Sequence, residues 1–293
     1  MNKIVVLFTF SVILCSGCGG DRPVEPPETV SQVVIYFSTK SLSDSQLKST
    51  ASPDENLISK IILFGVDDQN KVVETFPSIT NPSLNGITLT ITNKEVKSFY
   101  AIANPSTSLE GAKPSTVSDL MNLTGDFATP PVSPFLMSGK GNIVEEKVNI
   151  ELIRVVAKIE IKGIDGFQIE TVTVTNTPDK GYVFMQATLS VPSSAGRTNY
   201  PAITSTAPIL YVAESAAQNP VSFVVTGQLN GLQAIYTIKP LSEGKAIDIV
   251  RNSHYLMNIK PITEDICDVT INIPEWNGVI VVDDVEIPDE AFK

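Results

Sequence analysis

The residues that could do chemistry in this chain of 293 are few and poorly grouped. A hydrolase triad or a metal site needs imidazole or clustered thiolates, and the single histidine, His254, lies inside the strand-like run Ser253–Ile259. Asp67-Asp68-Gln69-Asn70 resembles a fragment of a calcium loop. It lacks the glycine and the bidentate glutamate such a loop needs, so it reads as the polar tip of a hairpin. Glu145/Glu146 and Asp283/Asp284 are neighbours along strand-like runs, which would point their side chains to opposite faces and prevent a shared acid/base role. No glycine-rich phosphate loop, CxxC pair or nucleophile elbow occurs. The expectation is a protein that is not an enzyme, with no catalytic residue, metal or cofactor.

The cysteines carry a different chemistry. Lys3 precedes an apolar run, Ile4–Leu14, too short to span a bilayer and typical of a secretory signal. Ser16 and Gly17 stand directly before Cys18, the small-residue pattern a lipoprotein signal peptidase requires, although Cys15 occupies a position where leucine is usual. Residues 1–17 are therefore read as signal peptide and Cys18 as the acylated first residue of the mature protein, held in the outer-membrane lipid by several chains. Residues 18–30, with Pro23, Pro26 and Pro27 among charges, read as an extended tether. Cys267 remains without an intramolecular partner and reads as a small hydrophobe. A net charge of −11 with no Lys/Arg cluster argues against nucleic acid as a partner.

From Ser31 onward the apolar runs are short, β-branched and bounded by turn residues: Val33–Phe37, Ile58–Val66, Ile87–Ile91, Phe99–Ala103, Val148–Ile161, Thr171–Thr175, Ile209–Val212, Val221–Leu229, Gln233–Ile238, Ala246–Ile249, Tyr255–Ile259, Val269–Ile273 and Val279–Ile287. The class is all-β. Asn85-Gly86 and Asn230-Gly231 predict hairpins, so the pairing is expected to be mostly antiparallel. Thr116–Asn122 predicts one short helix, capped by Ser115 or Thr116 with Asp119 in its first turn. The Gly/Pro/Ser-rich stretch 126–147 predicts a boundary near 146, giving an N-terminal β-sandwich over 31–146 and a C-terminal one over 147–293.

Three segments, in order, resemble the fimbrillin family, the lipoprotein-derived type V pilins of surface fimbriae. They are Arg154-Val-Val-Ala-Lys-Ile-Glu-Ile161, Ile249-Val-Arg-Asn-Ser-His-Tyr-Leu-Met-Asn-Ile259, and Cys267-Asp-Val-Thr-Ile-Asn-Ile-Pro-Glu-Trp276 with the apolar tail that follows. Upstream, Ser59-Lys-Ile-Ile-Leu-Phe-Gly-Val66 and Lys97-Ser-Phe-Tyr-Ala-Ile-Ala-Asn104 look like the first retained hairpin of such pilins. The resemblance implies two tandem transthyretin-like Greek-key sandwiches. It also implies a trypsin-like surface protease that cuts after a basic residue in the loop following the first strand. Polymerisation with other fimbrial subunits then follows, a C-terminal strand of the next subunit filling the vacated groove by β-augmentation.

Both ends of the chain can be read for those roles. Val33, Val34, Ile35, Tyr36 and Phe37 form the strand to be displaced, and Ser38–Asn56, rich in Ser, Asp, Thr and Lys, reads as a protease-accessible loop. Lys48 is its central basic residue, so cleavage is expected between Lys48 and Ser49, with Lys40 as second choice. The best-known members have Arg there, so an Arg-only protease would not process this chain. At the other end Val279, Val281, Val285 and Ile287 share one parity, broken by Asp283, and form the expected donor strand. The resemblance ranks a stalk subunit first, an uncleaved anchor or accessory lipoprotein second and a tip subunit third. A monomeric glycan-binding lipoprotein is the rival of another class, disfavoured because Trp276 is the one tryptophan and the tyrosines are scattered.

Overall fold

The computed structural model describes residues 31–39, 53–83, 86–242, 244–263, 266–273 and 276. From Ser31 onward the chain forms one compact unit, and its described part is strand with short helical turns, the all-β class read from the sequence. The signal segment and the tether lie outside the described residues.

The first eight strands build around one core. They are β1 (Ser31–Thr39), β2 (Lys60–Val66), β3 (Val72–Thr80), β4 (Ile87–Ile91), β5 (Ser98–Ala103), β6 (Thr124–Asp126), β7 (Met137–Asn142) and β8 (Lys147–Arg154). All but β6 join a seven-stranded sheet in the order β3-β2-β5-β7-β8-β1-β4. The sheet bends far enough for its two edges to meet: the Glu74 carboxylate of β3 accepts from the Thr92 hydroxyl just beyond β4, at 2.7 Å. Alternation then sends Val33, Ile35 and Phe37 of β1, Leu63 of β2, Phe99 of β5 and Val148, Ile150 and Leu152 of β8 into the enclosed core. β2 and β5 are buried on their other face as well, where Phe64, Tyr100 and Ile102 pack under α1 (Thr107–Glu110) and α2 (Val117–Met121). Double-sided burial explains why Ile58–Val66 is apolar at both parities. α2 starts as predicted: Thr116 and Asp119 form a reciprocal capping box.

Several readings of this region need correction. Asn85-Gly86 makes no hairpin, because β3 pairs with β2 and β4 with β1, at opposite ends of the strand order. The stretch 126–147 is no simple linker, since it holds β7, a central strand. Its glycines are needed where β8 passes over β7: a Cβ on Gly139 would lie 2.2 Å from the Glu151 carbonyl oxygen. Glu145 and Glu146 sit in the connecting turn, both with positive φ, rather than along a strand. The change of core therefore comes at Val155–Ala157 and not at 146, as β8 belongs wholly to the first sheet.

The second core lies between two four-stranded sheets. One has the order β15-β9-β20-β21, from β9 (Val156–Gly163), β15 (Ile209–Ala213), β20 (His254–Pro261) and β21 (Cys267–Asn272). The other has the order β14-β10-β16-β17, from β10 (Phe167–Thr175), β14 (Ile203–Thr204), β16 (Ser222–Leu229) and β17 (Leu232–Ile238). Short strands complete the set: β11 (Thr177–Pro178) with β13 (Arg197–Thr198), β18 (Leu241–Ser242) with β19 (Lys245–Ala246), and β12 (Lys180–Tyr182), which pairs back onto β6. Asn230 and Gly231 have φ of 54° and 81° and close the β16–β17 hairpin as predicted. Pairing is mostly antiparallel, the exceptions among the described strands being β1 with β8 and β9 with β20.

The two kinds of glycine should respond differently to substitution. Gly139→Ala drives a methyl into backbone and should cost about 3 kcal/mol or more. Gly231→Ala meets open space and bears only its left-handed φ, about 1 kcal/mol. Urea midpoints of the two variants against the parent chain check the order.

Candidate functional site

Chemistry by imidazole has little to work with. His254 opens β20, is 2% exposed, and holds Nε2 3.2 Å from Glu160 Oε2 on β9. Burial and the Lys158 ammonium push its pKa down to about 4, against the pull of Glu160. Cys267 is half-buried on the edge strand β21, where burial and Asp268 raise its thiol pKa. Among the described residues no group of three or more His, Cys, Asp or Glu side chains could hold a metal ion. Asp67 serves its own turn, accepting from the backbone N–H groups of Gln69 at 2.9 Å and Lys71 at 2.8 Å.

The other candidate is the seat of β1. This strand is inserted between β8, to which it runs parallel from Val34↔Lys147 to Thr39↔Leu152, and β4, to which it runs antiparallel from Ser31↔Ile91 to Ile35↔Ile87. Val33, Ile35 and Phe37 are 2%, 0% and 5% exposed in the first core, while Val34 and Tyr36 are half-buried on the opposite face. There Gly86 lets the chain approach closely, since a Cβ on it would be 3.1 Å from both the Val34 and Tyr36 side chains. β1 extends to Thr39 and a 3-10 turn occupies Pro53–Asn56, so both ends of the expected loop are in regular structure, while 40–52 lie outside the described residues. Lys48 and Ser49 lie outside the described residues, as do Cys18 and the expected donor positions Val279, Val281, Val285 and Ile287.

Where that turn ends, charges are buried. Glu55, 3% exposed, accepts from Lys158 Nζ at 2.9 Å, from the Tyr211 hydroxyl and from Trp276 Nε1 at 3.0 Å. Burial alone would raise its pKa, but these donors together hold it below the usual carboxylate value. The Arg154 guanidinium lies 4.4 Å from the centroid of the Trp276 ring and donates to the Glu55 carbonyl at 3.0 Å, to Asn252 Oδ1 at 2.8 Å and to Asn56 Oδ1. Burial lowers its pKa to about 10, which leaves it a cation at neutral pH. Tyr211 stacks with Trp276, its ring 18° from the plane of the indole.

Neither a scan of family models nor a search of curated proteins finds a match to the chain. Solved structures do. A candidate cell adhesion protein from Parabacteroides distasonis superposes with a TM-score of 0.59 at 16% identity, over 86% of this chain and 98% of that one. One from Bacteroides eggerthii gives 0.59 at 15%, over 84% and 96%. The tip fimbrial protein Mfa3 from Porphyromonas gingivalis, with C-terminal truncation, gives 0.54 at 16%, over 84% and 100%. The chain has their fold. The resemblance read from three short motifs thus meets a likeness of architecture that extends over most of the chain.

Sequence reasoning placed β1 as a strand but missed the buried charges. The signal was present: Arg154 follows Ile153 and precedes Val155 at a core parity, and a charge there needs a buried partner. Nothing local in the sequence pointed to Glu55 as that neighbourhood's acid.

Stability should fall in acid through two groups. His254 takes a proton more readily unfolded, near its ordinary 6.5, than folded, so its contribution is full above pH 6.5 and lost down to about pH 4. At about 1.4 kcal/mol per pKa unit this amounts to about 3 kcal/mol. Glu55, lowered in the fold from 4.5, adds a second loss below that pH. Urea unfolding against pH should show both declines, and His254→Phe should flatten the first alone.

Proposed function

We propose that this protein is a structural subunit of a cell-surface fimbrium, exported as a lipoprotein acylated at Cys18 and cut between Lys48 and Ser49. It joins its neighbours by exchanging β1 for a strand of the next subunit. The observation that carries the reading is the seat of β1. Its side chains Val33, Ile35 and Phe37 are all but fully buried in the first core, and Lys48 lies in sequence between it and the next described element. Pulling it out after a cut uncovers the inward row Val148, Ile150 and Leu152 of β8 and frees the edge of β4, whose ladder is with β1.

Magnitudes favour an exchange over a bare loss. Three buried side chains at about 1.5–3 kcal/mol each are worth roughly 5–9 kcal/mol, besides the ladder hydrogen bonds. An empty seat is thus costly, and a replacement strand recovers that energy. Val279, Val281, Val285 and Ile287 could return a similar amount, with Asp283 as the misfit of the set. The fold shared with adhesion proteins and a fimbrial tip protein supports the fimbrial setting and a surface location. Glycan capture by stacking is weakened further, because Trp276 is 0% exposed.

Intact mass and N-terminal sequencing of protein sheared from its native surface test the reading. The expected result is a chain starting at Ser49 that carries no lipid, in gel ladders that survive mild heating. Lys48→Gln should leave the chain unprocessed and unpolymerised. Sheared material that still holds acylated Cys18 would move the assignment to an uncleaved anchor.

A further inference from the structure

The end of β1 is tied to Trp276 through a short chain of side-chain contacts. Thr39, the last residue of β1, donates from Oγ1 to Asn56 Oδ1 at 3.2 Å. The same Oδ1 accepts from Arg154, whose guanidinium covers Trp276, and Trp276 in turn donates to Glu55, the residue before Asn56. Trp276 is fully buried in the core that Val33, Ile35 and Phe37 help to close. Thr39 leads into 40–52, and Trp276 leads into 277–293. One connected cluster therefore touches the exit of the first strand, the far end of the loop after it, and the root of the chain's last segment.

We propose that this cluster is a latch through which a seated β1 and Trp276 hold each other in place. Coupling of this kind is reciprocal, so loosening Trp276 must also loosen β1. Resting on the strand-exchange reading, the latch makes the departure of β1 felt at Trp276, the described residue nearest in sequence to the expected donor positions.

The physical basis is the cost of partial release. With β1 and Thr39 gone, Asn56 loses one of the donors that orient its amide, and the core around the indole loses three apolar side chains. Arg154 and Glu55 stay buried charges, whose attraction depends on geometry that those neighbours hold.

Hydrogen exchange on the full chain tests the coupling without any cut. In Trp276→Phe, which keeps an aromatic ring and loses the indole N–H, the amides of Val33–Phe37 should exchange on the order of 5–30-fold faster. Those of β2, β5 and the β16–β17 hairpin should keep their parent rates. Equal acceleration across β2 and β5 would mean general loosening, and unchanged β1 rates would mean no coupling; either overturns the latch. Asn56→Ala, at a half-buried site, keeps the chain's one tryptophan as a reporter and should raise its quenching by acrylamide. Quenching at the parent level would also overturn the proposal. A protease site placed at 45–48 separates the two readings. β1 that departs on cutting while Trp276 emission stays unchanged overturns the latch alone, and β1 that cannot be displaced by a competing strand overturns strand exchange, leaving the exchange rates of Trp276→Phe to decide the latch.

Discussion

A carboxylate that is 3% exposed dictates how the two cores meet. An ionised group removed from water costs several kcal/mol unless donors replace the solvent, and Glu55 obtains three from distant parts of the chain: Lys158 on β9, Tyr211 on β15 and Trp276. Each lies beyond the switch of core at Val155–Ala157, whereas Glu55 precedes β2. The approach of the second pair of sheets to the first is therefore set by electrostatics as much as by apolar contact. Arg154 completes the arrangement from the end of β8, holding the Glu55 carbonyl and Asn252 while it covers the indole.

A second tie lies on the outer face of β2 and β5. The segment after β12 sends Val183 and Phe184 under the two short helices, and Phe184 meets Tyr100 edge to face. Its carbonyls are gripped by Arg251, which also pairs with Glu214 at 2.6 Å. Ser138 of β7 donates to the same Val183 oxygen at 2.6 Å. Chain from beyond the switch of core thus completes a cluster of the first half, and the β6–β12 ladder fastens it along the edge.

Much of this was legible residue by residue. Apolar β-branched runs located most strands because burial on a pleated face selects for them, and Thr116 and Asn230-Gly231 worked because capping and a tight left-handed turn are settled within four residues. What failed was non-local. β3, Val72–Thr80, is an edge strand with mixed polarity and Pro77, so it has no apolar signature. β7 looked like a linker because its glycines answer to β8 crossing above them. Asn85-Gly86 has local turn chemistry, yet its flanking strands pair elsewhere. The seat of β1 was half-visible: the apolar run Val33–Phe37 marked a strand, while the parallel partner β8, more than a hundred residues on, left no mark in the sequence.

That parallel pairing gives the seat a polarity. Its slanted hydrogen bonds to β8 and its perpendicular ones to β4 are reproduced together only by a strand running in the direction of β1. A second chain's strand set in this seat would meet a surface unlike its own, a heterologous joint that closes where its geometry returns on itself, as a reciprocal pair or a ring, and otherwise builds a filament with distinguishable ends.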